Sequence, residues 1–316
     1  MKKTLAVMLL AAVTATPAFA EYPDKPITYI LGYSPGGGSD VGVRTWSPYA
    51  ATCLGNGASF TVVNMPGASG AIGTAAAEKA APDGYTLTNL NLPQFVTNTI
   101  SKGTPSDVDK FDYLGTIVGV RSALAVKAGS EFKTLKEFVD YAKTTEAPIN
   151  VGIGGIGADD HLTGLRFASM IGENFNFIPF GDGASARAAL LGGQVIISFM
   201  SNSEAALFKD EVAPLAIASE ERTPLWPDVE TFKEDGYDLI AGSDHLIGTP
   251  KGAPPEILAK LRDCIAKVAV DPAFLADAQK RGMSLNVMDA AASEAYVRAA
   301  EKIYADVWAK TPWIAK

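Results

Sequence analysis

Histidine and cysteine are the scarcest reactive side chains here, two of each in 316 residues. A zinc ribbon, an iron–sulfur ferredoxin or a disulfide framework needs more, so those classes are excluded and no cofactor is expected. Basic residues are also short, 27 against 35 acids, for a formal net charge of −8 and a pI near 4.9. A nucleic-acid binder carries a basic face, so nucleic acid is not an expected partner. No apolar run reaches the ~20 residues of a membrane-crossing helix, and there is no repeat array or low-complexity tract. Core material is ample: 47% of residues are hydrophobic and 20% charged. At roughly 150 residues per domain, the length corresponds to about two domains.

The first twenty residues read as an export address. Lys2 and Lys3 form a basic start, residues 5–13 are apolar, and Ala18-Phe19-Ala20 supplies the small-x-small pattern of a cleavage site. The competing reading, an N-terminal anchor, is too short to span a bilayer. Cleavage after Ala20 starts the mature, periplasmic chain at Glu21. Of the 27 basic residues two are then lost, leaving 25 against 35 acids, or −10. Nucleotide cofactors are scarce outside the cytoplasm.

From Pro26 onward strand, glycine-rich turn and helix alternate. Residues 27–31 read as a strand and 32–40 as the turn after it. A helix follows to about Leu54, stopped by Gly55. Pro48 is expected to kink or split that helix, because it removes a donor and crowds the preceding turn. The strand 60–63, the turn 64–70, the helix 71–81 and the strand 85–88 complete a β-α-β-α-β unit with a parallel sheet. A second series starts near Arg121. It has strands at 123–126, 149–151, 177–180 and 195–199. Its helices are 134–143 (opened by a Thr134/Glu137 capping box), one ending at Met170, and 184–191. Three helices, 254–268, 272–281 and 291–310, close the chain and are expected to pack on the first unit. The predicted architecture is α/β with two lobes. Domain 1 takes residues 21–120 and 246–316, domain 2 takes 121–245, and a ligand cleft lies between them.

Two turns, 36–40 and 67–70, each follow a strand and open a helix in one small sheet. Such turns lie at the carboxyl edge, where ligands bind. Helix N-termini present unpaired N–H groups and partial positive charge, and glycine allows close approach, so the two together form an anion site. Singly, either turn is explained by tight geometry alone. Neither ends in the Gly-Lys-Ser/Thr of a phosphate loop. Residues 152–157 match the dinucleotide spacing, but export removes that ligand. Ser39 and Ser69 each miss a glycine of the Gly-x-Ser-x-Gly frame. His161 follows Asp159 and Asp160 without a third spaced metal ligand. The bland alternatives are a locally bonded first-turn residue for His161 and a crossover residue for His245. Cys53 and Cys264 both fall in domain 1 segments, and both a bridge and two buried thiols remain open.

These stretches resemble the periplasmic solute-binding proteins of tripartite tricarboxylate transporters, the TctC or Bug family. The resemblance is carried by Gly36-Gly37-Gly38-Ser39-Asp40 with Arg44, by residues 64–73, and by Pro82-Asp83-Gly84-Tyr85-Thr86-Leu87. Residues 190–195 and 226–237 add to it. It implies a Venus-flytrap binding protein, not an enzyme, that holds a small organic carboxylate and passes it to a membrane permease. It implies main-chain contacts from Gly37, Gly38, Ser39 and Asp40 and from Ala68, Ser69 and Gly70, often with ordered water. Asp40 would orient water or cap its helix, and the loop 89–94, with Asn91, would form part of the wall. From domain 2 the resemblance implies Gly157, Ala158, Asp159 and His161, and then Asp182, Gly183 and Ala184. Here the sequence departs from the family pattern. Ala158 replaces a hydroxyl residue, Asp159 and Asp160 add negative charge, and Asp182 stands where lysine is common. Either the far end of the ligand is neutral or cationic, or the ligand is a monocarboxylate, or these acids face solvent at helix N-termini. A monomer is expected. The competing functions are a receptor for a sensor and an exported hydrolase or lyase using His161 with Asp159 or Ser39.

Overall fold

Strand β1 (Ile27–Leu31) buries Ile27, Tyr29 and Leu31 completely and leaves Thr28 and Ile30 partly exposed, the period-2 pattern of a strand with one dry face. In this computed structural model residues 21–314 are described except 105, 282 and 311. The expected export signal therefore lies outside the described residues. After β1 come α1 (Gly38–Leu54), β2 (Phe60–Asn64), α2 (Ala71–Glu78), β3 (Thr86–Leu92), α3 (Gln94–Lys102) and β4 (Phe111–Lys127). Next are α4 (Leu135–Thr144), β5 (Ile149–Ile153), α5 (Asp159–Ile171), β6 (Phe175–Pro179), α6 (Gly183–Leu191), β7 (Ile197–Ser201), α7 (Asn202–Leu207) and β8 (Val212–Ile217). The chain continues through β9 (Gly242–Pro250), α8 (Pro255–Ala269), α9 (Pro272–Lys280), β10 (Leu285–Met288) and α10 (Ala290–Lys310).

The strands run β2-β1-β3-β9-β4-β7-β5-β6, with β8 and β10 also pairing β4. β1 is parallel to β2 and β3, and β5 is parallel to β6 and β7, as expected for the two alternating series. The sheet is nevertheless mixed, because β9 and β4 pair antiparallel with each other and with their other neighbours. β4 changes partner midway: through Arg121 it pairs β9, and from Ser122 it pairs β7 and β8. Two main cores flank this point. One gathers Tyr29, Trp46, Leu87, Ile117, Leu261 and Phe274, the other Leu124, Phe138, Phe167, Phe199 and Phe232.

Helix α1 runs unbroken through Pro48, so the expected split does not occur. Pro48 forfeits one bond to the preceding turn, but Trp46, Ala50 and Leu54 are anchored in the core, and packing overrides local propensity. The question of the two cysteines is resolved: Cys53 of α1 and Cys264 of α8 are joined, with 5.6 Å between their Cα atoms. The terminal helices pack as expected, α8 and α9 on α1, and α10 on α3 and β4. β9 and β10, however, occupy chain that had been expected to hold little beyond helices. Among the described residues no helix is long and apolar enough to cross a membrane.

Candidate ligand-binding cleft

A cavity of about 90 Å³ lies at the carboxyl ends of β1, β3, β5 and β7, where helices α1, α5 and α6 begin. This is the position at which open α/β sheets receive ligands. A single water needs about 10–15 Å³ on this scale, so the space admits several waters or a small organic molecule. One wall comes from the turns after β1 and β2 and the end of β3, the other from the starts of α5, α6 and α7. The exchanging strands β4 and β9 contribute Val120, Ser243 and His245. The walls touch: the Ser34 hydroxyl donates to Asp182, and Thr97 Oγ1 donates to the Gly157 carbonyl.

Of the residues singled out from sequence, Gly37, Gly38, Ser39, Ser69 and Asn91 line the cavity on one side. Ala158, Asp159, Asp182, Gly183 and Ala184 line it on the other. Asp40, Ala68, Gly70, Gly157 and His161 do not line it. The Asp40 carboxylate instead accepts from Gly36 N–H, Arg44 Nε and Asn64 Nδ2 at 2.9–3.0 Å. Burial alone would raise its pKa, but those bonds and the Arg44 charge outweigh it and hold Asp40 below the usual carboxylate range. His161 Nδ1 accepts the Gly157 N–H at 3.1 Å, and its ring packs edge-on against Phe177. Burial lowers its pKa to about 4, so it is neutral at physiological pH. His161 is therefore not brought together with Ser39 at the cavity.

The α1 wall is built around bare backbone. Gly37 is the N-cap, in extended conformation (φ −78°, ψ 167°), and has no side chain to close the helix. Among the described residues no hydrogen bond takes the N–H groups of Gly38, Ser39 or Asp40, so they remain available. Asn91 Nδ2 donates to Ser39 Oγ and Gln94 Nε2 to the Tyr33 hydroxyl. Asn91 Oδ1 and Gln94 Oε1 are left buried without a partner. The second turn holds Ala68 and Ser69 at φ 50° and 51°. Left-handed backbone costs a non-glycine residue about 1–2 kcal/mol, a strain that collects at ligand sites. Glycine is required alongside, because a Cβ on Gly73 would strike the Gly32 backbone.

The opposite wall is acidic. Asp160 lies at the start of α5, and its carboxylate accepts the N–H groups of Gly154 and His161. Asp182 caps α6, accepting Ser185 N–H at 2.9 Å. Glu204, in the first turn of α7, pairs with Arg187. Burial raises Glu204 to about 7 despite Arg187. Burial also raises Asp159 and Asp160, and their mutual repulsion adds to the shift on Asp160. The acids whose direction had been left open thus sit at helix N-termini and line the cavity. His245 lines it as well, with Nδ1 unpartnered and its pKa lowered to about 4 by burial. Among the described residues no three histidine, cysteine or acidic side chains gather at metal-binding distances.

Sequence reasoning placed Gln94 in the wall through the loop 89–94 but passed over Tyr33, Glu204 and Ser243. For Glu204 a signal existed: Ser201-Asn202-Ser203-Glu204 is a helix-start pattern, and Ser201 Oγ does accept Glu204 N–H at 3.0 Å. For Tyr33 and Ser243 nothing local marked them.

Residues 50–305 match the family described as Tripartite tricarboxylate transporter family receptor. A UPF0065 protein from the gbd 5′ region of Cupriavidus necator is 30% identical over 270 residues, covering 85% of this chain and 82% of that one. The solved periplasmic binding protein BugD is 26% identical with a TM-score of 0.81, over 92% of this chain and 98% of that one. MatC from Rhodopseudomonas palustris, solved with bound malate, shares the fold at 23% identity with a TM-score of 0.81, over 90% and 99% of the two chains. The architecture is that of a two-lobed periplasmic binding protein, and this chain belongs to the tripartite tricarboxylate transporter receptor family.

Proposed function

We propose that the protein captures a small organic carboxylate at the start of α1 and delivers it to the membrane subunits of a tripartite tricarboxylate-type transporter. The observation that carries this reading is the set of unclaimed N–H groups at the glycine-capped start of α1, where Gly37, Gly38 and Ser39 line the cavity. A helix N-terminus in that state binds anions. The main chain around Ser69 completes the site from the second turn. MatC, which shares the fold, holds malate. In the same reading residues 21–120 with 246–316 form one lobe and 121–245 the other. Closure about the crossing strands buries the ligand and shapes the docking surface. The receptor works as a monomer in the periplasm, exported by a signal cleaved after Ala20.

The test is a thermal-shift screen of ligand-stripped protein against mono-, di- and tricarboxylates. A ligand at 100 times its Kd adds about 2.7 kcal/mol, a clear rise in Tm, and should be recovered chemically unchanged. Failure of every acid to stabilise the protein, or consumption of the one that does, overturns the proposal.

A further inference from the structure

The cavity is electrically lopsided. Three helices of eight residues or more begin at it, and two are already answered by acids of this chain: Asp159 and Asp160 open α5, and Asp182 caps α6. The third, α1, starts from Gly37, and its first-turn Asp40 is matched by Arg44 at 2.9 Å. Among the described lining residues there is no lysine or arginine. Three of the four lining carboxylates have strong partners: Asp160 takes two backbone N–H groups, Asp182 takes Ser185 N–H and the Ser34 hydroxyl, and Glu204 takes Arg187. Asp159 has the Ser122 hydroxyl, at 3.3 Å, and backbone amides at the start of its own helix.

A second observation points the same way. Asn91 and Gln94 are 4% and 5% exposed, line the same cavity, and leave Asn91 Oδ1 and Gln94 Oε1 without hydrogen-bond partners. Both atoms accept hydrogen bonds, as does the Asp159 carboxylate. Buried acceptors without donors are costly, so whatever fills this space should bring donors. A second carboxylate would bring acceptors to acceptors and negative charge to Asp159. A primary ammonium brings three N–H donors and a positive charge.

We propose that the ligand is a small zwitterion, its carboxylate on the α1 amides and a primary ammonium group held by Asp159 with the acceptors of Asn91 and Gln94. The inference rests on carboxylate capture at α1 and adds the chemistry of the other end. Asp159 acts as the counter-charge that distinguishes an amino acid from the hydroxy acid or dicarboxylate of equal length. Facing it are Asp160 of its own helix, Asp244 of β9, Glu204 of α7, Tyr304 of α10 and Arg121 of β4. Acids dominate that surround.

The experiment titrates purified protein calorimetrically with matched acids: alanine, lactate and propionate; aspartate, malate and succinate; 4-aminobutyrate and butyrate. In the set that binds best, the amino member should bind at least tenfold tighter than its partners, about 1.4 kcal/mol. Asp159→Asn, which keeps the side-chain shape, should reduce that preference below about threefold while carboxylate binding persists. In the unsubstituted protein, affinity for the amino member should weaken from about pH 8 to about pH 5 as the carboxylates take up protons. A hydroxy acid or dicarboxylate that binds as tightly, or whose affinity strengthens on acidification, overturns the zwitterion and leaves carboxylate capture standing. If none of the acids binds, carboxylate capture itself fails, and the zwitterion with it.

Discussion

Helices α1 and α6 start alike and finish differently. Each follows a strand through a glycine-rich turn and abuts the cavity, yet α1 is capped by Gly37 with no side chain and α6 by the Asp182 carboxylate. The dipole at the two ends is the same. What differs is whether the chain has answered it, so a helix N-terminus is an anion site only where the protein leaves it unanswered. The sequence pattern of strand, glycine and helix does not by itself separate the two cases; the identity of the capping residue does.

The strongest way to break the contrast is to give α1 the cap that α6 has. Gly37 has backbone angles open to any residue, and a Cβ there would meet only the Ser34 carbonyl, at 3.5 Å. Gly37→Asp should therefore fold normally, close α1 with its own carboxylate and displace the ligand. Losing charge-assisted bonds worth about 1.5–3 kcal/mol each predicts at least a hundredfold weaker carboxylate binding by calorimetry. Undiminished affinity would place the carboxylate elsewhere.

A second contrast is mechanical. The α1 wall is tied covalently to α8 through Cys53 and Cys264, whereas neither α5 nor α6 contains a cysteine. Replacing both cysteines by serine should cost roughly 2–5 kcal/mol of stability, read as a lower Tm. Trp46, Ala50 and Leu54 still seat α1, so carboxylate affinity should change by less than about threefold. A larger loss would mean that the bridge, not the packing, places the α1 amides.

The smallest effect separates the walls by titration. Glu204 stands at about 7 against an ordinary 4.5, so the folded state keeps a proton that the unfolded state releases. Its favourable contribution is fully present below the ordinary carboxylate range and is lost as pH rises through about 7. The raised Asp159 and Asp160 act in the same direction. His161 and His245, lowered to about 4 from 6.5, oppose them, because their contribution is present above 6.5 and is lost as pH falls towards 4. The Tm of ligand-free protein should accordingly rise by a few degrees between about pH 8 and pH 6.5, and Glu204→Gln should flatten the rise. On the α1 wall Asp40 is held below the usual carboxylate range and contributes nothing in that window.

The parts of the fold that were legible are those whose signals are local. The period-2 burial of β1, the stop at Gly55 and the Thr134/Glu137 capping box are all present. β4 and β9 carry no such signal, since nearly every residue of both is buried and alternation vanishes. Ser243 and His245, contributed by β9, could not be ranked as cavity residues for that reason. The left-handed Ala68 and Ser69 were equally hidden, since nothing in an alanine and a serine announces positive φ. The disulfide lay beyond reach because it depends on a distance between residues 211 apart in sequence.

β4 also sets a schedule. Its partners are β7 and β8 before residue 220, β9 at Gly242–Pro250 and β10 at Leu285–Met288. No portion of the chain that ends before β9 can complete the pairing of the strand common to both sheet regions. High contact order of this kind slows folding, and it delays commitment to the native state until nearly the whole polypeptide is available. Until that moment the apolar edges of β4 are the surface most in need of a holdase.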